Sequence, residues 1–166
     1  MFIDDDHLYH GAALLQIAEH KRFTAINPMK TTSGTARSTF RINDDIGIYL
    51  KYASKPKGAY DEYLFTFTNP HIAEVDEIAG KVERAFVGLV CVRDKHICCL
   101  SHHQLHRLVA NRKKARGADE AAYTIVANLP RGKQFRVYVN APGKKGKIAG
   151  GTLLVPRNSF PDMLFK

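Results

Sequence analysis

The sequence predicts an α/β or α+β domain in which a mixed β-sheet is flanked by helices. Short runs with apolar residues at alternate positions, typical of strands, recur along the chain. The segments 69–82 and 101–115 instead repeat apolar residues at three- and four-residue spacing, typical of helices that bury one face. The run AFVGLVCV at 85–92 is apolar throughout, which indicates a central strand covered on both faces.

The first third of the chain predicts a helix followed by three strands. Acidic residues open the segment 4–20, where they suit a helix N-terminus. The polar run 27–37 contains Pro and Gly and indicates a loop. Strands are predicted at 38–43, 46–53 and 62–68, and the turn residues NDD between the first two favour a hairpin.

The middle of the chain predicts a strand–helix–strand unit. Asn69 is the predicted N-cap of the helix 69–82, and Pro70 suits its first position. A strand at 62–68 before this helix and the buried strand at 85–92 after it predict a right-handed βαβ crossover.

The remaining segments predict one more helix and several strands. Ser101 and Gln104 fit a capping box that starts the helix 101–115. The tail at 157–166 carries apolar residues and is expected to dock on the body of the domain. Strands are predicted at 96–100, 123–129, 134–140 and 151–156.

Length and composition favour a single domain spanning residues 1–166. A chain of 166 residues can bury a sizeable core. No run of about 18 apolar residues occurs, and the acidic start does not resemble a secretory signal. Three cysteines, an odd number, do not make a disulfide framework. We therefore expect a reduced, cytoplasmic protein with no membrane partner.

Net charge is the strongest global signal. The 25 Lys and Arg residues exceed the 16 Asp and Glu residues, which gives a net charge of +9. The densest basic runs are NRKKAR at 111–116 and GKKGK at 143–147. A basic surface attracts polyanions through counterion release, so nucleic acid, either DNA or RNA, is the predicted partner. The residues predicted to contact it are Arg112, Lys113, Lys114, Arg116, Lys144, Lys145 and Lys147.

Two cysteines and four histidines fall within VRDKHICCLSHHQLHRL at 92–108. Cys98 and Cys99 point to opposite faces of their predicted strand, and the Cys-x2-Cys spacing of structural zinc sites is absent. If residues 94–95 form a two-residue turn, Cys91 lies opposite Cys98 and could form a redox pair with it. The main interpretation is that these cysteines are small apolar core residues.

The histidine pair His102 and His106 is the remaining metal candidate in this stretch. Residues four apart share one face of a helix, and that spacing can bind a metal. A metal site would need a further ligand that the local sequence does not identify.

The predicted order helix, three strands, helix, strand over residues 4–92 resembles the core of the restriction-endonuclease-like fold, the PD-(D/E)xK nuclease superfamily. In that family a carboxylate on the second strand and a (D/E)-x-Lys motif on the third hold one or two divalent metal ions. The metal positions a water near the phosphate, and the lysine stabilises the developing negative charge.

For this chain the resemblance implies catalytic roles for Asp45, Glu62 and Lys51, with Asp45 and Glu62 as the ligands of Mg²⁺ or Mn²⁺. The motif is incomplete, since Tyr49 stands two residues before Lys51 and Leu64 two residues after Glu62. The sequence therefore predicts a nucleic-acid-binding domain with a nuclease-like core whose catalytic site is degraded, and then no cofactor is expected. Two alternatives stay open, namely an active divalent-metal nuclease and a small interaction or regulatory protein that binds another protein.

Overall fold

The computed structural model describes residues 1–32, 37–143 and 146–166. They form a mixed α/β fold of the α+β kind, with two sheets and helices, which confirms the predicted fold class. The helices are α1 (Asp5–Ala18), α2 (Asn69–Ala79) and α3 (His102–Arg116). The strands are β1 (Ile26–Pro28), β2 (Thr39–Ile42), β3 (Ile46–Ala53), β4 (Glu62–Thr68), β5 (Arg84–Cys91), β6 (His96–Ser101), β7 (Ala122–Asn128), β8 (Phe135–Asn140) and β9 (Ile148–Val155).

The first sheet has five strands in the order β1-β2-β3-β5-β6 and is mixed. Strands β3 and β5 pair in parallel, and the other neighbours are antiparallel. The predicted β2–β3 hairpin is confirmed, and Asn43 in its turn adopts a positive φ of 52°. Strand β5 is buried along nearly its whole length, as its unbroken apolar sequence predicts.

The second sheet has four antiparallel strands in the order β4-β7-β8-β9. The predicted βαβ crossover is wrong, because β4 belongs to this sheet whereas β5 pairs with β3 in the first. The alternation in β4 explains the difference. Tyr63, Phe65 and Phe67 are buried and the residues between them are exposed, which is the pattern of a sheet with one buried face.

Helices α2 and α3 join the two sheets. Helix α2 contacts β3 and β5 of the first sheet and β4 of the second, and α3 contacts β5 and β6 as well as β8 and β9. The apolar residues of these elements form one inter-sheet core, which includes Val87, Ile78, Leu105, Phe65 and Val137. The two sheets are therefore held by common packing.

A second core, the α1 core, lies on the other face of the first sheet. Ala13 and Ile17 of α1 pack there with Ile48 of β3. The prediction for the tail is confirmed, since Leu164 and Phe165, in a 3-10 turn at Asp162–Phe165, are buried in the same core. No helix formed by the described residues is long and apolar enough to cross a membrane.

The helix starts differ from prediction at one place. Ser101 and Gln104 form the predicted capping box of α3. Helix α2, however, is capped by Thr68 and not by Asn69. The Thr68 hydroxyl accepts a hydrogen bond from the His71 N–H, and the Thr68 N–H donates to His71 Nδ1. A hydroxyl side chain at the end of β4 therefore satisfies one of the free N–H groups in the first turn of α2.

Candidate functional site

Asp76, His102 and His106 form a cluster between α2 and α3. His102 Nε2 lies 2.7 Å and His106 Nε2 lies 2.5 Å from the same oxygen, Oδ1 of Asp76. The two imidazole rings meet edge to face, with centroids 4.7 Å apart. Asp76 therefore supplies the further potential metal ligand that the sequence near His102 and His106 did not identify.

The cluster is positioned by the packing of α2 and α3 in the inter-sheet core. His102 directly follows the N-cap Ser101 of α3, and His106 lies one turn later on the same face. Asp76 lies near the C-terminal end of α2. Both helices pack into the inter-sheet core, through Ile78 of α2 and Leu105 of α3. The packing therefore brings the three side chains together, although the side chains themselves are between one third and one half exposed.

The Asp76 carboxylate opposes the dipole of its own helix. A carboxylate near a helix C-terminus is an unfavourable placement, and the last turn of α2 contains no base that would offset it. Local helix stability therefore does not account for Asp76, which faces His102 and His106 across the helix pair.

The hydrogen bonds also determine the ionisation of Asp76. Desolvation acts to raise the pKa of this carboxyl, but the hydrogen bonds from His102 and His106 outweigh it and lower the pKa. Asp76 is consequently a carboxylate at neutral pH, with acceptor oxygens directed at two imidazoles. Its ligand atom and those of the two histidines lie within 4.8 Å of one another, so this group could hold a metal ion.

The cysteines of the same stretch are core residues, as predicted. All three are free and buried, and burial raises the pKa of each thiol, so the thiols stay protonated. The strand pairing that would place Cys91 opposite Cys98, which assumed a two-residue turn at 94–95, is wrong. Cys91 pairs with His96, and Cys98 pairs with Leu89, because residues 92–95 form a longer turn than the two residues assumed.

The predicted catalytic residues lie in different surroundings. Asp45 precedes β3, where its carboxylate is 3.4 Å from the Arg84 guanidinium and its carbonyl oxygen accepts from the N–H of Glu83. Lys51 lies towards the other end of β3, with Nζ 5.3 Å from the centroid of the Phe67 ring. Lys51 is six positions after Asp45 along extended chain, a separation of roughly 20 Å at about 3.3 Å per residue.

Glu62 lies beyond the end of β3 that is remote from Asp45. Its carboxylate accepts a hydrogen bond from the Tyr138 hydroxyl. The adjacent Tyr63 donates to Asp94, which follows β5, and β5 ends level with β3. Asp45 and Glu62 are therefore near opposite ends of the eight-residue strand β3. The structure does not bring Asp45, Lys51 and Glu62 together around one metal ion.

Burial lowers the pKa of Lys51, an effect that the nearby Glu74 carboxylate partly offsets. The Lys51 amine is therefore partly desolvated and lies over the ring of Phe67, which is fully buried in the inter-sheet core.

The guanidinium of Arg112 makes hydrogen bonds to other residues of the domain. Its Nε and Nη2 donate to the two carboxylate oxygens of Glu120 at 2.6 and 3.0 Å, and its Nη1 donates to the carbonyl oxygen of Asn140 at 2.8 Å. The hydrogen bonds from Arg112 lower the pKa of Glu120. Asn111 packs beside Arg112 so closely against β9 that a Cβ at Gly150 would lie 2.4 Å from the Asn111 side chain. The end of α3 is thus fixed against β8 and β9.

Four other predicted nucleic-acid contacts lie within the described residues, and all four are exposed. Lys113, Lys114 and Arg116 lie in the last turns of α3, and Lys147 lies just before β9. Lys113 Nζ is 3.5 Å from Asp119, whereas Lys114, Arg116 and Lys147 make no salt bridge with an acid of the described ranges. Lys144 and Lys145 lie outside the described residues.

Comparison with known proteins gives one distant similarity. No family model matches the sequence, and no solved structure matches it. Over 125 residues, 72% of this chain, the sequence is 25% identical to Protein inturned of Xenopus laevis. The aligned region is 13% of that protein, so the chain spans a small part of its relative's length. The resemblance to the restriction-endonuclease-like fold stays a prediction.

Proposed function

We propose that this domain binds nucleic acid through the phosphate backbone, without sequence preference. The binding surface, which we call the α3–hairpin surface, consists of Lys113, Lys114 and Arg116 of α3 and Lys147 of the connection between β8 and β9. Lys144 and Lys145 belong to the same connection by sequence. A cytoplasmic location is part of the proposal and is supported by the three unpaired cysteines.

One observation carries the proposal. Arg112 donates to the carbonyl oxygen of Asn140, the last residue of β8, so the end of α3 is attached to the start of the β8–β9 connection. The Ala141 N–H donates to the Lys147 carbonyl oxygen at 2.7 Å, so Lys147 lies at the base of the same connection, near the end of α3 that carries Lys113, Lys114 and Arg116. Adjacent exposed cations displace more counterions from one stretch of phosphates than scattered cations would.

The charge of the whole chain supports the same function. The net charge is +9, and the last turn of α3 adds three cations at its end. Lys114 and Arg116 form no salt bridge with an acid of the described residues, which leaves their charge available to a polyanion. Long-range attraction of this kind raises association rates and weakens as salt screens it.

The test is a pair of charge-reversal variants measured by fluorescence anisotropy with labelled duplex DNA and single-stranded RNA. Lys114→Glu/Arg116→Glu changes the proposed surface, and Lys55→Glu/Lys57→Glu changes two exposed lysines of the β3–β4 loop. Each double variant changes the net charge by −4, from +9 to +5. We expect the α3 variant to lose at least about tenfold in affinity and to show a shallower dependence of log K on log salt, because about two phosphate contacts are removed. The loop variant should lose much less.

Equal losses in the two variants would show that only net charge matters and would contradict the proposed surface. Binding by the wild type that does not weaken as salt rises would contradict phosphate recognition itself.

Incubation of the protein with the same nucleic acids and Mg²⁺ or Mn²⁺ tests the nuclease alternative. Cleavage that is lost in Lys51→Ala would favour that alternative, and co-purification of protein without nucleic acid would favour the interaction-protein alternative.

A further inference from the structure

We propose that Asp76, His102 and His106 form a binding site for a divalent transition-metal ion, with Zn²⁺ as the best-fitting ion. The site uses residues outside the α3–hairpin surface and does not depend on the proposed binding of nucleic acid. It lies at the N-terminal end of α3, whereas the basic surface lies at the C-terminal end of this 15-residue helix, roughly 20 Å away at about 1.5 Å per residue.

The donor set determines the class of metal. Two imidazole nitrogens and one carboxylate oxygen suit Zn²⁺ and its neighbours in the first transition row, whereas Mg²⁺ and Ca²⁺ prefer oxygen ligands throughout. Three protein ligands also leave a coordination position open for water or a small anion, as in zinc sites that are not purely structural. The site is therefore expected to be exchangeable and accessible from solvent.

The geometry requires only a small adjustment. Ligand atoms bound to Zn²⁺ at about 2.0–2.2 Å and at tetrahedral angles lie about 3.3 Å apart. His102 Nε2 and His106 Nε2 are now 2.7 and 2.5 Å from Asp76 Oδ1 as hydrogen-bonded partners. Each of these two distances must increase by less than about 1 Å to match that separation. Each imidazole then gives its Nε2 lone pair to the metal as a neutral ligand and carries its one ring proton on Nδ1.

The hydrogen bonds alone do not explain why these residues are together. Exposed carboxylate–imidazole contacts contribute little to folding stability. The placement of Asp76 also opposes the dipole of α2. A bound dication would neutralise the Asp76 carboxylate near the C-terminal end of α2 and so relieve that unfavourable placement.

Other metal-binding side chains in the same region do not compete for the ion. Cys98 and Cys99 are fully buried, and their thiols remain protonated. His103 follows His102 directly and is exposed, but it is not a member of the cluster. His103 is therefore a matched control, since it has the same residue type, the same helix and the same turn.

The experiment measures Zn²⁺ binding to the chelator-treated protein by isothermal titration calorimetry, and Co²⁺ binding by visible absorption. We expect one equivalent of each metal to bind, and the Co²⁺ spectrum should lack a thiolate charge-transfer band because the cysteines take no part. His106→Ala and Asp76→Asn should each lose more than about tenfold in Zn²⁺ affinity, since altering even a group that only orients a ligand costs about that much. His103→Ala should bind Zn²⁺ as the wild type does.

Three outcomes would overturn the site: no binding of Zn²⁺ by the wild type, equal affinity in wild type, His106→Ala and Asp76→Asn, or a Co²⁺ spectrum with thiolate bands. Far-ultraviolet circular dichroism of each metal-free variant checks that it is folded. Binding of DNA by His106→Ala should equal that of the wild type. Failure of the metal site would therefore be distinguished from failure of the α3–hairpin surface.

Discussion

At the scale of single residues, identical side chains take different roles according to what their element places beside them. His102 and His106 share the Asp76 carboxylate at the surface. His10 is instead buried, with Nδ1 2.9 Å from the Arg37 carbonyl oxygen, and burial lowers its pKa. Residue type therefore limits the roles that a side chain can take, and its neighbours in the fold determine which of these roles is possible.

The two glycines Gly47 and Gly11 offer a matched test of packing at this scale. A Cβ at Gly47 would lie 2.3 Å from Ile78 Cγ2, because α2 lies directly on β3, whereas a Cβ at Gly11 would meet nothing within 4 Å. We expect Gly47→Ala to lower the free energy of unfolding by about 1–3 kcal/mol through overpacking. Gly11→Ala, in helix α1, should raise it by up to about 1 kcal/mol because alanine is the better helix former. Urea denaturation measures both, and a neutral Gly47→Ala would contradict the close contact of α2 with β3.

At the scale of elements, the ends of helices and strands are set by specific polar contacts. Thr68 and Ser101 end strands β4 and β6 and cap the helices α2 and α3 that follow. Arg112 connects the end of α3 both to Glu120, just before β7, and to Asn140 at the end of β8. The β8–β9 hairpin is thus anchored to a helix as well as to its own sheet.

The Arg112–Glu120 pair predicts an effect of pH on stability. The folded pKa of Glu120 is lowered by Arg112, so the stabilisation is present above the unfolded glutamate pKa of about 4.3 and is lost as pH falls through the folded value. Arg112→Gln should therefore destabilise the domain at neutral pH, and the difference from wild type should shrink in acid. Urea unfolding at neutral and acidic pH measures this change. Lys114→Gln, at the same helix end, is the control and should show little difference at either pH; a difference for Arg112→Gln that does not shrink in acid would contradict the ion pair.

At the scale of the whole molecule, the first sheet belongs to two cores. One face of this sheet packs in the inter-sheet core with α2, α3 and the second sheet. The other face is covered by α1 and the C-terminal tail. Alternate residues of β3 serve the two sides, with Tyr49 in the inter-sheet core and Ile48 and Leu50 in the α1 core. Both cores depend on the same strands, so we expect them to unfold together.

A substitution in the tail tests this coupling. Leu164 is fully buried in the α1 core, so Leu164→Ala should lower the free energy of unfolding by about 2–5 kcal/mol. Asp162→Ala changes an exposed side chain of the same 3-10 turn and should cost no more than about 0.5 kcal/mol. Far- and near-ultraviolet circular dichroism should report one coincident transition for Leu164→Ala. Separate transitions would show that the α1 core unfolds independently of the inter-sheet core.

The sequence by itself determined most of the elements, because periodicity, capping residues and turn residues act over a few positions. It predicted α1, α2 and α3, the β2–β3 hairpin, the buried strand β5 and the docking of the tail. It missed the short strand β1 at Ile26–Pro28, where a Pro-containing polar segment gives no strand pattern. It also assigned the cap of α2 to Asn69, one residue after Thr68.

Only the tertiary structure decided how these elements combine. Strand β4 does not belong to the sheet that contains β3 and β5. Pairing between distant strands depends on which apolar faces of the elements can be buried against one another, and not on their order along the chain. For the same reason Asp45 and Glu62 lie near opposite ends of β3, and Asp76 meets His102 and His106 from 26 and 30 residues away. Local physics in the sequence selects helices, strands and caps, whereas the burial of apolar faces in one shared core selects which side chains can act together.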